Sequence, residues 1–210
     1  MHVEIGCVPD LPLQRLQSFL GLLYEREHAL RARVAHLRSA DQLRRLRAGD
    51  LQLALIHDTG EEHMIETEPV FTGEPLAAFV PYGHRFAARQ EVGLRDLRDE
   101  VVVLFPRAAD PGLHDWMLAT LELDGGGVHE PGGADIRDLL FAVADGHGVT
   151  VGPRSLPGIV GELGGAVEAR PLAPQRRMPD TALAWAASGS SRHPEVLAAA
   201  REVARELRGG

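Results

Sequence analysis

The 210-residue sequence contains no lysine, so all 22 of its basic residues are arginine. Schiff-base chemistry, a phosphate-loop lysine and a Ser-Lys catalytic pair are thereby excluded. Its single cysteine, Cys7, cannot form an intrachain disulfide, which fits a reducing cytosol. Aromatic residues make up only 5%, leaving a core to be built from Leu, Val and Ala. A basic surplus is absent as well: the formal net charge is −8, the opposite of what a domain that grips nucleic acid by its phosphates usually carries. The arginines between Arg31 and Arg47 read as a solvated helix face paired with acidic groups. No apolar run reaches the ~18 residues of a membrane span. The start, Met-His-Val-Glu-Ile-Gly, reads as a strand and lacks the pattern of a signal peptide. A cytoplasmic protein is the expectation.

With 44% apolar residues the chain is long enough for one large domain or two small ones. Val3, Ile5 and Cys7 alternate with His2, Glu4 and Gly6 as a strand that Pro9 ends. A helix follows, with Leu13, Leu16, Leu20 and Leu23 on one face, Asp10 placed to cap it and Pro12 suited to its first turn. A strand at Arg33 to Leu37 leads into Ser39-Ala40-Asp41-Gln42, a capping-box pattern, and into a helix that Gly49 stops. Leu51, Leu53 and Leu55 form the third strand. Strand-helix-strand-helix-strand with short joints predicts a parallel sheet with crossover helices.

Further strands are predicted at Glu66 to Phe71, Leu76 to Val80, Val101 to Phe105, near Val128, and at Val149 to Val151. Others follow near Val167 to Arg170 and at Thr181 to Ala187. Asp110-Pro111 opens a helix through Trp116 and Leu121 that Gly125-Gly126-Gly127 breaks. Asp135 caps a helix with Ile136, Leu139, Leu140 and Val143 on one face. A short helix near Ser155 to Leu163 and a final one carrying Val196, Ala200, Val203 and Leu207 complete the reading.

Catalytic signatures are missing. The ten histidines are scattered without metal-ligand spacing, although His114, just after a helix start, is a candidate to face a cleft. Ser155, Ser188, Ser190 and Ser191 lack the Gly-x-Ser-x-Gly elbow. The glycines of Gly146-His147-Gly148-Val149-Thr150-Val151-Gly152 lead from a helix into a strand, the reverse of a dinucleotide fingerprint. Glu61-Glu62 reads as a solvated loop pair, and Cys7 as a small buried core residue rather than a redox sensor. No enzyme activity, metal or cofactor is expected.

Parallel-sheet proteins bind ligands outside the carboxyl ends of their strands. Three strand-to-helix joints qualify: Pro9 to Leu11, Arg38 to Ser39, and Arg107 to Leu113. Each ends at a helix N-terminus, which favours an anion or polar acceptor. Taken singly, plain capping is the favoured reading of Asp10, Ser39 and Asp110; taken together on one sheet edge, the three joints point to a site.

Several stretches are similar to the effector-binding domain of LysR-type transcriptional regulators. They are Glu4-Ile5-Gly6-Cys7-Val8-Pro9, Leu46-Arg47-Ala48-Gly49-Asp50-Leu51-Gln52-Leu53-Ala54-Leu55-Ile56 and Glu68-Pro69-Val70-Phe71. Pro81-Tyr82-Gly83-His84-Arg85-Phe86-Ala87, Leu94-Arg95-Asp96-Leu97, Ala144-Asp145-Gly146-His147-Gly148-Val149 and Pro153-Arg154-Ser155 continue the family order. Leu104-Phe105-Pro106 with Pro111-Gly112-Leu113 most resembles members that sense aromatic-catabolite acids.

The resemblance implies an α/β fold of two Rossmann-like lobes with mixed, mostly parallel sheets, the type 2 periplasmic-binding-protein-like fold. Lobe I is expected over 1–72 and 177–210, and lobe II over 73–176. A small organic effector, a carboxylate by expectation, would bind between them. Pro9, Asp10, Leu11, Arg38 and Ser39 from one lobe, and Arg107, Pro111, Gly112 and Leu113 from the other, would hold it. Val8 and Leu113 would line the apolar half. A homodimer, or a tetramer when full-length, is implied, contacting DNA only through an N-terminal winged helix-turn-helix not found in these residues. Two departures stand out. That reading head is missing, and Asp10 stands where the family commonly has a small hydroxyl residue. The rival readings are a transporter's solute-binding protein, which shares the fold, and an enzyme on a similar scaffold.

Overall fold

The computed structural model describes residues 2–209 apart from 61, 126, 134 and 188–192. Glu61, Gly126, Ser188, Ser190 and Ser191, all named above, lie outside the described residues. In chain order the elements are β1 (His2–Cys7), α1 (Leu13–Arg26), β2 (Arg31–His36), α2 (Ser39–Ala48), β3 (Leu53–His57), β4 (Ile65–Phe71) and β5 (Leu76–Pro81). Then come β6 (Val92–Gly93), α3 (Leu94–Leu97), β7 (Val102–Val103), α4 (Pro111–Leu121), β8 (Val128–His129), α5 (Ile136–Ala144) and β9 (Thr150–Pro153). Last are α6 (Pro157–Glu162), β10 (Val167–Ala173), β11 (Thr181–Ala186) and α7 (Pro194–Gly209). The chain divides into two compact units, Met1–Gly73 with Pro179–Gly210, and Glu74–Met178.

The first unit is a five-stranded sheet in the order β2-β1-β3-β11-β4. β1 runs parallel to both β2 and β3, as strand-helix-strand connections require, while β11 pairs antiparallel with β3 and β4. Alternation along β3 divides its side chains between two cores. Leu53 and Leu55 join Val3, Ile5, Cys7, Phe19 and Leu23 beneath α1 and α7, whereas Ala54 and Ile56 join Leu43, Leu46 and Leu51 beneath α2. Each fully buried Leu, Ile or Phe there contributes about 1.5–3 kcal/mol relative to exposure. Gly6 of β1 faces α2, and a Cβ there would lie 2.4 Å from Gln42 Oε1, so glycine lets the helix approach. Arg26 of α1 pairs with Glu202 and Glu206 of α7.

The second unit holds a four-stranded mixed sheet in the order β6-β10-β5-β9, with β5 antiparallel to both neighbours, and a small parallel pair of β7 and β8. Its core gathers Leu76, Phe79, Phe86, Leu97, Leu104, Leu121, Leu140 and Val143. No helix among the described residues is long and apolar enough to cross a membrane.

Three sequence expectations need correction. The apolar run from Val101 to Phe105 gives a ladder strand only at Val102–Val103. Of the rest of the run, Leu104 and Phe105 are buried in the core, with the Leu104 N–H donating to His129 O, and Val101 is exposed. The short helix expected near Ser155 to Leu163 forms as Pro157–Glu162. Asp10 does not cap α1, whose N-cap position is Pro12 with no side-chain cap bond. Ser39 is the first residue of α2 rather than its cap, because the extended residue before the helix is Arg38. The caps expected at Asp110 and Asp135 form: Asp110 accepts from Leu113 N–H, and Asp135 makes a capping box with Asp138.

Candidate functional site

In the first unit the chain leaves β1 for β2 on one side and returns from β2 to β3 on the other. The carboxyl ends of β1 and β3 therefore flank a topological switch point, where open α/β sheets place their ligands. Three polar side chains meet at that edge.

Beyond β1 the chain turns at Pro9 and Asp10, closed by the Leu11 N–H donating to Val8 O at 3.3 Å. The turn directs Asp10 across the switch point, where Oδ1 lies 3.0 Å from Nε2 of His57, the last residue of β3. The backbone N–H of His57 donates to Ser39 Oγ at 3.1 Å, which fixes the start of α2 against the same strand end. Gln42, one turn on, donates from Nε2 to Leu37 O at 2.6 Å and Leu55 O at 3.2 Å. Both polar members of the presumed capping box thus tie α2 to the strands instead of closing its own first turn.

His57 is buried and the Asp10 side chain is 20% exposed, within reach of a small molecule. Burial alone would raise the Asp10 carboxyl. The attraction of His57, hydrogen bonds from its ring and from the residue's own backbone, and the charge of Arg38 outweigh that and hold it below the ordinary 3.8. An ionised carboxylate can only accept, so His57 Nε2 carries the shared proton. Neither Pro9, which is exposed, nor the half-buried Leu11 and Arg38 adds a second acid to this edge.

The second-unit candidates sit at the start of α4. Pro111 has no N–H, Gly112 is exposed, and the Leu113 N–H is taken by Asp110 Oδ1 at 3.2 Å. The Leu113 side chain is in the second unit's core, as Val8 is buried in the first. Arg107 is engaged on the surface: Nε and Nη2 lie 2.7 and 2.6 Å from the two oxygens of Asp115. That fork of hydrogen bonds holds the Asp115 carboxyl below its ordinary range and raises the guanidinium further. His114 is buried, edge-on to Phe105 at 5.9 Å, with Nδ1 and Nε2 each 3.5 Å from a carboxylate oxygen, of Asp115 and Glu130 respectively.

Sequence reasoning missed His57 and Glu130. His57 carried a usable signal, since it is the polar residue ending an apolar parallel strand. Glu130 carried none. Cys7 is fully buried, and burial first, then the nearby Asp10 charge, pushes its thiol up to about 12. Among the described residues no group of three or more His, Cys, Asp or Glu is placed to hold a metal ion.

Residues 1–208 match the family described as LysR substrate binding domain. None of the curated proteins matches the chain. Among solved structures, the BenM effector-binding domain with its effector benzoate is 20% identical with a TM-score of 0.75, over 99% of this chain and 92% of that one. The reduced form of the OxyR regulatory domain from Pseudomonas aeruginosa is 20% identical with a TM-score of 0.74, over 99% and 96%. A full-length BenM variant is 20% identical with a TM-score of 0.76, over all of this chain and 68% of that one. At these identities the likeness is one of fold, the type 2 periplasmic-binding-protein-like architecture.

Proposed function

The chain belongs to the LysR substrate-binding domain family, and from that premise we propose that it senses a small organic effector, a carboxylate, on behalf of a winged helix-turn-helix that reads DNA. It works in the cytoplasm as a homodimer and catalyses nothing. The observation that carries this reading is the family match over residues 1–208. Support comes from the polar cluster of Asp10, Ser39 and His57 at the first unit's switch point, the position where such sheets take ligands. The residues proposed to hold the effector are Pro9, Asp10, Leu11, Arg38 and Ser39 in the first unit and Arg107, Pro111, Gly112 and Leu113 in the second. Arg38 or Arg107 supplies a charge-assisted hydrogen bond to an acid, and Val8 and Leu113 are proposed to back the apolar half.

Thermal-shift screening with aromatic acids, dicarboxylates and amines tests the function. A ligand at one hundred times its Kd stabilises the folded state by about 2.7 kcal/mol. For a chain of this size that is a shift of roughly 5–10 °C. No shift with any acid at millimolar concentration refutes the reading.

A further inference from the structure

Asp10 is an unusual tenant for an acid-binding edge. It stands three residues beyond Cys7 at the end of β1, and its Oδ1 is 3.0 Å from Nε2 of His57 at the end of β3. The pair therefore spans the gap between the two strands whose connections part, in the crevice such sheets offer to ligands. His57 is sealed, but the Asp10 side chain keeps 20% of its surface. The ring engages only one of two carboxylate oxygens, so the group retains capacity to accept from a ligand N–H. The carboxyl is held ionised, which fixes a negative charge in the crevice. Arg38, at the start of α2, acts on that charge from the opposite sign.

A simple monocarboxylate entering here meets a like charge. A ligand bearing both signs meets complementary groups. We propose that the effector is an amino-acid-like zwitterion, whose ammonium is taken by Asp10 and whose carboxylate lies on the side of Arg38. This deepens the sensing function proposed above and rests on it. Asp10, tuned by His57, is then a specificity-determining residue: it admits an amine and turns away the same skeleton without one.

The test uses matched ligand pairs on the 210-residue chain. Phenylalanine is set against 3-phenylpropionate, leucine against 4-methylvalerate and glutamate against glutarate, with phenethylamine as an amine lacking an acid. Affinities are read by calorimetric titration. The expected result is at least a tenfold preference for one amino acid over its deaminated partner. Asp10→Asn keeps an acceptor for His57 but drops the charge, and it should bring that preference close to one. Asp10→Ser should favour the deaminated acid. Circular dichroism melts check that the variants fold, and the wild-type comparison decides the matter even if Asp10→Ser does not.

A deaminated acid bound as tightly as its amino acid overturns the zwitterion and leaves acid sensing standing. Binding of phenethylamine alone overturns the zwitterion and also the assignment of a carboxylate. Silence from every ligand overturns both inference and function.

Discussion

Replacing Cys7 by alanine isolates the energetic cost of ionising a group sealed in the first unit's core. The sulfur is fully buried among Val3, Ile5, Leu16 and Phe19, and its thiol is 3.4 Å from Val8 O. Burial, reinforced by the Asp10 charge, raises it from 9.0 to about 12. Three units correspond to about 4 kcal/mol against the folded thiolate. Because the folded pKa is the higher one, this stabilisation is intact below pH 9 and is lost as pH climbs from 9 towards 12. The loss runs at about 1.4 kcal/mol per unit. Urea denaturation of wild type and Cys7→Ala at pH 8 and pH 10 should therefore show the wild type's advantage shrinking by about 1.4 kcal/mol at the higher pH. The kinetic counterpart is thiol labelling by an aromatic disulfide at pH 8. There the folded thiolate fraction is about one in ten thousand, against roughly one in ten when unfolded. Native protein should thus label at least about a thousandfold more slowly than protein in urea. Equal labelling rates, or an advantage that does not narrow with pH, would refute both the burial argument and the exclusion of Cys7 from redox chemistry.

Three further outcomes are expected. Asp110→Ala, which strips the cap from the buried Leu113 N–H, should cost about 1–2 kcal/mol in urea denaturation, and a cost near zero would mean α4 needs no cap. Gly148→Ala should cost at least about 3 kcal/mol, because φ is +146° and the added Cβ would lie 2.2 Å from Val101 O; a silent substitution would show that this loop has another conformation. Asp10 has a lowered folded pKa, so its stabilising share is present above pH 3.8 and lost as pH falls below it. The stability gap between wild type and Asp10→Asn should accordingly close in an acid titration from pH 6 to pH 3.

What the sequence disclosed was mostly local. Asp110 before Pro111 and Asp135 before an apolar helix face were legible as caps, since donor and acceptor lie within one turn. Gly49 was legible as a stop for the same reason, and it takes the left-handed conformation at φ 76°. The run from Val101 to Phe105 misled because burial of Leu104 and Phe105 in the core leaves the same hydrophobic signature as burial in a ladder. The two-lobed architecture was not in the periodicity at all. It entered through the resemblance, which the ordered succession of individually weak motifs supplied.

The sequence named Asp10 and Ser39 but not the His57 they meet, for a physical reason visible in those two residues. Both are residue types that bind nearby backbone N–H groups, so a local rule assigns both to caps. Whether a cap forms depends on what else the side chain can reach once the sheet has assembled. Ser39 meets the His57 N–H, 18 residues away, and Asp10 meets the His57 ring, 47 residues away. Those partners exist only because β3 inserts beside β1 on the side opposite β2, a choice made by the whole sheet. The helix starts then do without them: α1 begins after Pro12 with no side-chain cap, and α2 begins after an extended Arg38. A polar residue that forgoes its local bond for a distant one, at a strand's carboxyl end, marks a place where the fold has spent helix stability on arranging charge. At this edge the arrangement is an ionised Asp10 held by His57, and it is the feature on which the chain's ligand preference should turn.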